Sequence, residues 1–133
     1  MRPALLLLAA SVVAAVAACG ASAGGRTPIV FGTTGGNLAG YHVTIQPNGS
    51  VRLRGRGWKF HKQIRPARVR QLRRDIRRAN LASRVCPGTL PDFASKFIRV
   101  GGRTFQVRGG CEPRFRRVFD ALVSAVALRP SSG

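Results

Sequence analysis

The chain has 133 residues, enough for one domain and too short for two. Its 23 Lys and Arg residues, 20 of them Arg, face only four acids and give a formal net charge of +19. Such a charge opposes self-association and attracts polyanions; the alternative is a coding bias toward Arg, with the charges spread over a solvated surface.

The N-terminus has the form of a signal peptide. Met1-Arg2 is a short positive region, and the following ALLLLAASVVAAV is an apolar core of suitable length. The apolar run ends near Ala18, which is short for a transmembrane helix of roughly 20 strongly apolar residues. We therefore predict a signal peptide over residues 1–18 and export from the cytoplasm.

Two cleavage sites are compatible with this leader. The sequence VAAC, residues 16–19, resembles the lipobox of bacterial lipoproteins, in which the Cys thiol is acylated and becomes the mature N-terminus. The resemblance implies that Cys19 is lipidated and anchors the protein at the outer face of the cytoplasmic membrane. Each buried methylene of the diacylglycerol would contribute about 0.8 kcal/mol. The alternative is the A-x-A site at residues 21–23, which would release a soluble secreted protein.

Beyond the leader, the pattern predicts a flexible tether over residues 19–27, a single domain over residues 28–129 and a disordered tail over residues 130–133. The domain begins with the signature of a three-stranded meander. The Gly-rich TGGNLAG and the hairpin signal PNG supply its turns, and apolar and polar side chains alternate between them. The three predicted strands cover residues 28–33, 41–46 and 50–54.

A helix is predicted to begin at Pro66, where proline is well tolerated, and to end near Asn80. Its apolar residues recur three and four positions apart, and arginines cover most of the remaining surface. Two more strands follow over residues 93–100 and 103–108, joined by a Gly-Gly turn. The dipeptide Glu-Pro at residues 112–113 opens a second helix.

The order of elements, βββαββα, predicts an α+β fold: a five-stranded antiparallel sheet with two helices packed on one face. Either cleavage leaves two cysteines, Cys86 and Cys111, in an oxidising compartment, where we expect them to form a disulfide. They flank the last predicted hairpin, so they should meet at one end of the sheet. Closing a loop of about 25 residues would stabilise the fold by roughly 3 kcal/mol. Two buried free thiols are the alternative.

Basic and aromatic residues interleave in RLRGRGWKFHKQIR, residues 52–65. This composition suits a nucleic-acid groove or an anionic lipid interface, and export favours lipid headgroups or acidic wall polymers over nucleic acid. With the arginines of the predicted helix, the segment could form one positive surface. The alternative is that Trp58 and Phe60 turn inward as core beyond a Gly bulge. The candidate anion-binding residues are Arg52, Arg54, Arg56, Trp58, Lys59, Lys62, Arg70, Arg73, Arg74 and Arg77.

Candidates for catalysis are few. His42 and His61 have no acid close in sequence, and no metal-ligand spacing such as H-x-x-x-H or C-x-x-C occurs. TGGNLAG lacks the phosphate-loop patterns and has no long helix after it, so a turn is the better interpretation. The sequence therefore predicts a protein that is not an enzyme, with no catalytic residue, no metal and no cofactor.

Two parts of the sequence pattern resemble known families. PGTLPDFASKFIRVGGRTFQVRGGCEPRF resembles a segment shared by small, uncharacterised exported proteins of high-GC Gram-positive bacteria, which brings no known activity. The order of elements is also distantly similar to emfourin, a proteinaceous inhibitor of thermolysin-like metalloproteases. Here the turn GGNLAG is one residue longer than the GG-x-AG of that family. Ala94 and Lys96 stand where the family favours aromatics, and the chain is basic where the inhibitor is acidic. This second resemblance implies a shared fold, and no inhibitory residues are transferred.

We therefore expect a non-enzymatic, membrane-anchored lipoprotein domain of the cell envelope that binds an anionic surface or a protein partner. The alternative function, implied by the second resemblance, is inhibition of a thermolysin-type metalloprotease.

Overall fold

A computed structural model describes residues 26–55 and 57–126, and of Trp58 and Lys59 it describes the backbone alone. The predicted signal peptide, the predicted lipidation site Cys19, most of the tether, Arg56 and the C-terminal tail lie outside the described residues. The described chain forms seven strands and two helices. They are β1 (Ile29–Thr34), β2 (Tyr41–Ile45), β3 (Ser50–Gly55), β4 (Trp58–Gln63), α1 (Pro66–Arg78), β5 (Arg84–Val85), β6 (Ser95–Val100), β7 (Arg103–Arg108) and α2 (Pro113–Val126).

All seven strands belong to one sheet, in the order β4-β3-β2-β1-β6-β7-β5. Every neighbouring pair is antiparallel except β5 and β7, which are parallel. Residues paired across strands share a face of the sheet. Phe31 pairs with Val43 and Ile98 on one face, whereas Gly32 pairs with His42 on the other.

Both helices cover the face of the sheet that carries Phe31. The apolar residues of each helix repeat at helical spacing and form one stripe. This stripe packs on the inward-facing apolar residues of the strands, so the helices and the sheet share one core. The rings of Phe31 and Phe119 meet edge to face at 5.7 Å, joining the sheet to α2. The buried apolar core of strands and helices comprises Ile29, Phe31, Val43, Ile45, Val51, Leu53, Val69, Leu72, Ile76, Ile98, Val107, Phe115, Val118, Phe119, Leu122 and Val126.

The α+β class and the two helices agree with the sequence-based expectation, but the prediction of a five-stranded antiparallel sheet is wrong. The sheet has seven strands and is mixed. The first strand that the sequence pattern did not predict is β4, which lies between the predicted third strand and the predicted first helix. Gly55 and Gly57, both with positive φ, turn the chain back beside β3, and Phe60 packs against the core. The alternation of this edge strand is short, because Lys62 occupies the inward position after Phe60.

The second missed strand is β5, whose two residues pair with Val107 and Arg108 of β7. A strand of two residues is too short to show an alternating pattern. It pairs with β7 where the chain runs beside that strand, just before Cys86. The sulfur atoms of Cys86 and Cys111 lie 2.06 Å apart as a disulfide, and their Cα atoms are 5.7 Å apart. This pair lies at the end of the sheet where the sequence pattern predicts it.

Helix α1 begins at Pro66, as predicted, and its last residue is Arg78. Helix α2 begins at Pro113 and continues to Val126. Neither helix of the described chain is long and apolar enough to cross a membrane.

Candidate functional site

The sheet face opposite the helices is basic. We call it the open face, because no helix of the described chain covers it. The pairing register gives this face Arg52 and Arg54 on β3, His42 and Thr44 on β2, and His61 on β4. None of the four acids of the chain lies in any of the seven strands, since each is in a helix or a connection. The strands of the described chain therefore supply no carboxylate to neutralise the positive charge of the open face.

Two hollows lie on the open face beside these arginines. The larger, of about 670 Å³, extends over β1, β2 and β3 and is bounded at one end by backbone of the glycine-containing turns. The smaller, of about 380 Å³, lies toward β4 and includes His61. Arg52 and Arg54 line both hollows and form a ridge between them. The side chains of the larger hollow include Thr34, His42, Thr44, Gln46, Arg52 and Arg54.

A tight hairpin sets the register of this ridge. Gly49 has φ of +89°, a backbone conformation that suits glycine, and its N–H donates to the carbonyl of Gln46 at 2.9 Å. The N–H of Ser50 donates to the side-chain oxygen of Asn48 at 3.0 Å. Because the turn fixes the pairing of the two strands, Arg52 lies opposite Thr44. Arg54 lies opposite His42.

Gly32 shapes the floor of the open face. It lies between His42 and Phe97 in the register, and the two rings approach across it to 4.9 Å. A Cβ atom at position 32 would lie 1.9 Å from the carbonyl oxygen of Tyr41, so only glycine fits. Phe97 is 3% exposed although it faces away from the helices. The glycine therefore lets an aromatic pair close this part of the face.

The arginines on the two halves of the open face have different environments. The Arg99 guanidinium donates to Thr104 at 3.1 Å and lies 6.0 Å from the Phe97 ring, and Arg108 donates to Ser95 at 3.3 Å. In contrast, the exposed side chains of Arg52 and Arg54 have no hydrogen bond or ion pair with the described residues. The ridge therefore offers guanidinium groups whose donors are available for a ligand.

The predicted anion-binding residues do not gather on one surface. Arg52 and Arg54 are on the open face, whereas Lys62 belongs to the opposite face, where its Nζ lies 3.5 Å from the carbonyl oxygen of Val126. The arginines of α1 are on the helix layer, so the sheet separates them from the ridge. Of these, Arg70, Arg74 and Arg77 are exposed. Arg56 lies outside the described residues, as do the side chains of Trp58 and Lys59.

Arg73 differs from the other arginines of α1. It is 6% exposed, and its guanidinium donates to the carbonyl of Thr27. Burial, and to a smaller extent the nearby Arg77 guanidinium, lowers the pKa of Arg73. The contact holds the chain that enters β1 against α1, which gives Arg73 a structural position rather than one on a binding surface.

Sequence reasoning did not place His42, Thr44, Gln46 and His61 in a site. The signal was present, because the first three alternate on one face of the predicted strand while the arginines of the next strand point outward. Combining the two strands through the PNG hairpin would have placed all of these side chains together. His61 could not be placed in the same way, since the sequence pattern did not predict its strand.

The side chains around the two hollows determine which groups the open face can contact. Within residues 26–55 and 57–126, no three His, Cys, Asp or Glu side chains converge as metal ligands. His42 contacts the Phe97 ring, and no hydrogen bond links either histidine to an acid in this part of the chain. Guanidinium, imidazole and hydroxyl groups around a hollow suit an anion. Comparison with family models and with curated proteins finds no match for the chain.

Proposed function

We propose that this protein is a non-enzymatic, membrane-anchored domain of the cell envelope that binds anionic groups through its open face. The observation that carries the proposal is the ridge of Arg52 and Arg54, which lies between two hollows and has no partner among the described residues. Guanidinium groups favour phosphate and carboxylate oxygens, which accept paired hydrogen bonds from them.

The whole chain supports this assignment electrostatically. A formal net charge of +19 raises the local concentration of polyanions around the molecule and speeds their encounter with it. The ridge adds a defined place for contact, because Arg52 and Arg54 lie on the same face of a paired strand, two positions apart, and line the same hollows. Long-range attraction and local hydrogen bonding therefore act on the same class of ligand.

The anchor rests on the leader sequence. Lipidation at Cys19, eight residues before Thr27, would hold the domain near the anionic headgroups and acidic polymers of the envelope. Mass spectrometry of the mature N-terminus tests this part of the proposal. We expect a diacylated Cys19, whereas an unmodified N-terminus at Gly24 would show that the protein is secreted without an anchor.

A charge-matched pair of variants tests the binding face. The parent is the exported Cys19→Ser protein, with mass spectrometry used to verify that its leader has been removed. Arg52→Gln/Arg54→Gln removes the ridge, and Arg70→Gln/Arg74→Gln removes the same charge from exposed positions on α1. The probes are phosphatidylglycerol vesicles, phosphatidylcholine vesicles and soluble inorganic polyphosphate, so lipid and free phosphate are separate arms.

We expect the ridge variant to lose affinity for phosphatidylglycerol vesicles on the order of 30-fold, since each near-surface charge contributes about 1 kcal/mol. Its affinity for polyphosphate should also fall, whereas the α1 variant should change each affinity by less than about threefold. Equal losses in the two variants would show that net charge alone attracts the ligand and would contradict a binding face. Nanomolar inhibition of thermolysin by the parent would support the inhibitor hypothesis instead.

A further inference from the structure

Four large apolar side chains of the described residues are exposed, and all four lie at one end of the sheet. The exposed fractions are 71% for Leu38, 65% for Val85, 58% for Leu90 and 57% for Phe93. Single exposed apolar residues are common on soluble proteins, whereas apolar residues grouped at one place on the surface are candidates for contact with an apolar partner.

The sheet brings these residues together through two connections. Thr34 pairs with Ser95, so the β1–β2 connection and the β5–β6 connection leave the sheet side by side. The N–H of Asn37 donates to the carbonyl of Asp92 at 3.2 Å, which joins the two connections directly. Leu38 follows one side of this link, and Phe93 follows the other. We call Leu38, Leu90 and Phe93 the apolar crest.

The crest is held in place by its supports. The N–H of Phe93 donates to the carbonyl of Leu90 at 3.2 Å, closing a turn at the tip of the β5–β6 connection. At the base of this connection, the hydroxyl of Thr89 donates to the carbonyl of Cys86 at 2.8 Å. The Cys86–Cys111 disulfide ties the same base to the start of α2. These hydrogen bonds and the disulfide therefore hold the backbone of the connection that carries Leu90 and Phe93.

The crest adjoins the basic ridge. The larger hollow is bounded by Gly35 and Gly40, which belong to the same connection as Leu38. Arg54 lines that hollow and lies near the same end of its strand. Apolar side chains next to guanidinium groups match an anionic bilayer, whose headgroups attract cations and whose acyl region accepts apolar groups.

We propose that the apolar crest inserts into the interfacial region of an anionic lipid bilayer while Arg52 and Arg54 bind its headgroups. This inference rests on the proposed function, since it assigns the anionic groups of the open face to lipids. A second copy of the chain is a poor occupant for the crest, because a net charge of +19 repels another copy.

The lipid anchor and the crest can reach the same bilayer. Thr27 lies eight positions after Cys19, and an extended chain of eight steps spans about 26 Å at about 3.3 Å per residue. The six residues of β1 separate the entry of the chain from the crest by about 20 Å. The crest would then be a second membrane contact that orients the domain.

The first test is the triple variant Leu38→Ser/Leu90→Ser/Phe93→Ser in the processed Cys19→Ser protein, compared with Arg52→Gln/Arg54→Gln. Because the three side chains are exposed, the melting temperature should stay close to that of the parent. We expect the crest variant to bind phosphatidylglycerol vesicles at least about tenfold more weakly, since interfacial binding scales with buried apolar area. Its affinity for soluble polyphosphate should change by less than about twofold.

These readouts separate the two proposals. A crest variant that binds vesicles as tightly as the parent overturns the insertion and leaves the crest to a protein partner, while the proposed function stands. A ridge variant that binds both vesicles and polyphosphate as tightly as the parent overturns the proposed function and this inference with it.

A second variant reports insertion without weakening the crest. Phe93→Trp in a Trp58→Phe background puts the sole indole of the chain at the crest. We expect its fluorescence to shift to shorter wavelength on phosphatidylglycerol vesicles and to be quenched by lipids brominated on their acyl chains. Unchanged emission on vesicles that demonstrably bind the protein would overturn the insertion.

Discussion

The two faces of the sheet are built from the same strands but carry different kinds of residue. The helix-covered face carries a continuous apolar core, and the buried Arg73 of the covering helix α1 donates to the backbone carbonyl of Thr27. The open face carries arginines, histidines and hydroxyls around two hollows, with Gly32 and Phe97 at its centre. The difference indicates that the covered face sets stability, while the open face is available for binding.

Gly32→Ala is the substitution that should break this separation. A Cβ atom at position 32 would lie 1.9 Å from the carbonyl oxygen of Tyr41 and 3.2 Å from the Cα of His42. Backbone atoms cannot yield without moving β2, so we expect the free energy of unfolding to fall by more than about 3 kcal/mol. Chemical denaturation measures this change.

Gly110→Ala is the matched control, because a Cβ atom there meets nothing within 4 Å and its φ is not positive. Its stability should remain within about 0.5 kcal/mol of the parent. If Gly32→Ala proved equally harmless, β1 and β2 would have to be less closely apposed than the structure shows.

Removing the disulfide should lower stability without touching the ridge. Cys86 is 5% exposed and belongs to the core, and its partner Cys111 lies 25 residues away in the chain. For Cys86→Ser/Cys111→Ser we expect a loss of about 3 kcal/mol, because the unfolded chain gains the entropy of an open loop. The melting temperature should fall, and affinity for polyphosphate below that temperature should be retained.

Reduction of the parent with dithiothreitol provides the control for the polarity of the introduced serines. It should lower the melting temperature by a similar amount. An unchanged melting temperature after verified reduction would show that the cross-link adds nothing to folding stability.

Sequence patterns predicted those parts of the molecule that repeat a period over several residues. The stripes of α1 and α2 and the alternation of β2 and β3 are such patterns, while β1, β6 and β7 were predicted as short segments beside glycine-rich turns. The structure has each of these elements. Strand β4 escaped because its inward positions include Lys62, and a basic residue there hides the alternation. Strand β5 escaped because two residues contain no period.

The binding surface was harder to predict, because the sequence alone does not show on which side of the fold a charged side chain lies. The arginines of β3 and α1 lie close together in the chain, but their elements pack so that the sheet separates them. Only a three-dimensional arrangement distinguishes exposed Arg52 from buried Arg73. The crest was missed for the same reason, since Leu38 and Phe93 are 55 residues from each other in the sequence and meet only through the β1–β6 pairing.

Arg73→Met tests whether this buried arginine contributes to folding or to binding. The substitution removes the hydrogen bond to the carbonyl of Thr27 and keeps a long apolar side chain in place. We expect a loss of about 2 kcal/mol in unfolding free energy, because the partly buried carbonyl of Thr27 loses its charged donor. Affinity for phosphatidylglycerol vesicles should change by less than about threefold.

Arg74→Met is the control on the adjacent, exposed position of α1, where we expect a stability change within about 0.5 kcal/mol. A strong loss of vesicle binding in Arg73→Met, with stability retained, would place this residue on the binding surface and contradict the separation of the two faces.

Thr33→Val should give the smallest effect, and in the opposite direction. Thr33 is 9% exposed on the covered face, and its hydroxyl oxygen has no hydrogen-bond partner in the described chain. Valine has nearly the same shape and leaves no buried polar atom unpaired, so we expect a gain of about 1 kcal/mol in unfolding free energy. Thr44→Val, at a half-buried position on the open face, should give no such gain, because the hydroxyl there faces a hollow that solvent can enter. A loss of stability in Thr33→Val would mean that the hydroxyl makes a favourable contact. Polar contacts, and not apolar packing alone, would then stabilise the covered face.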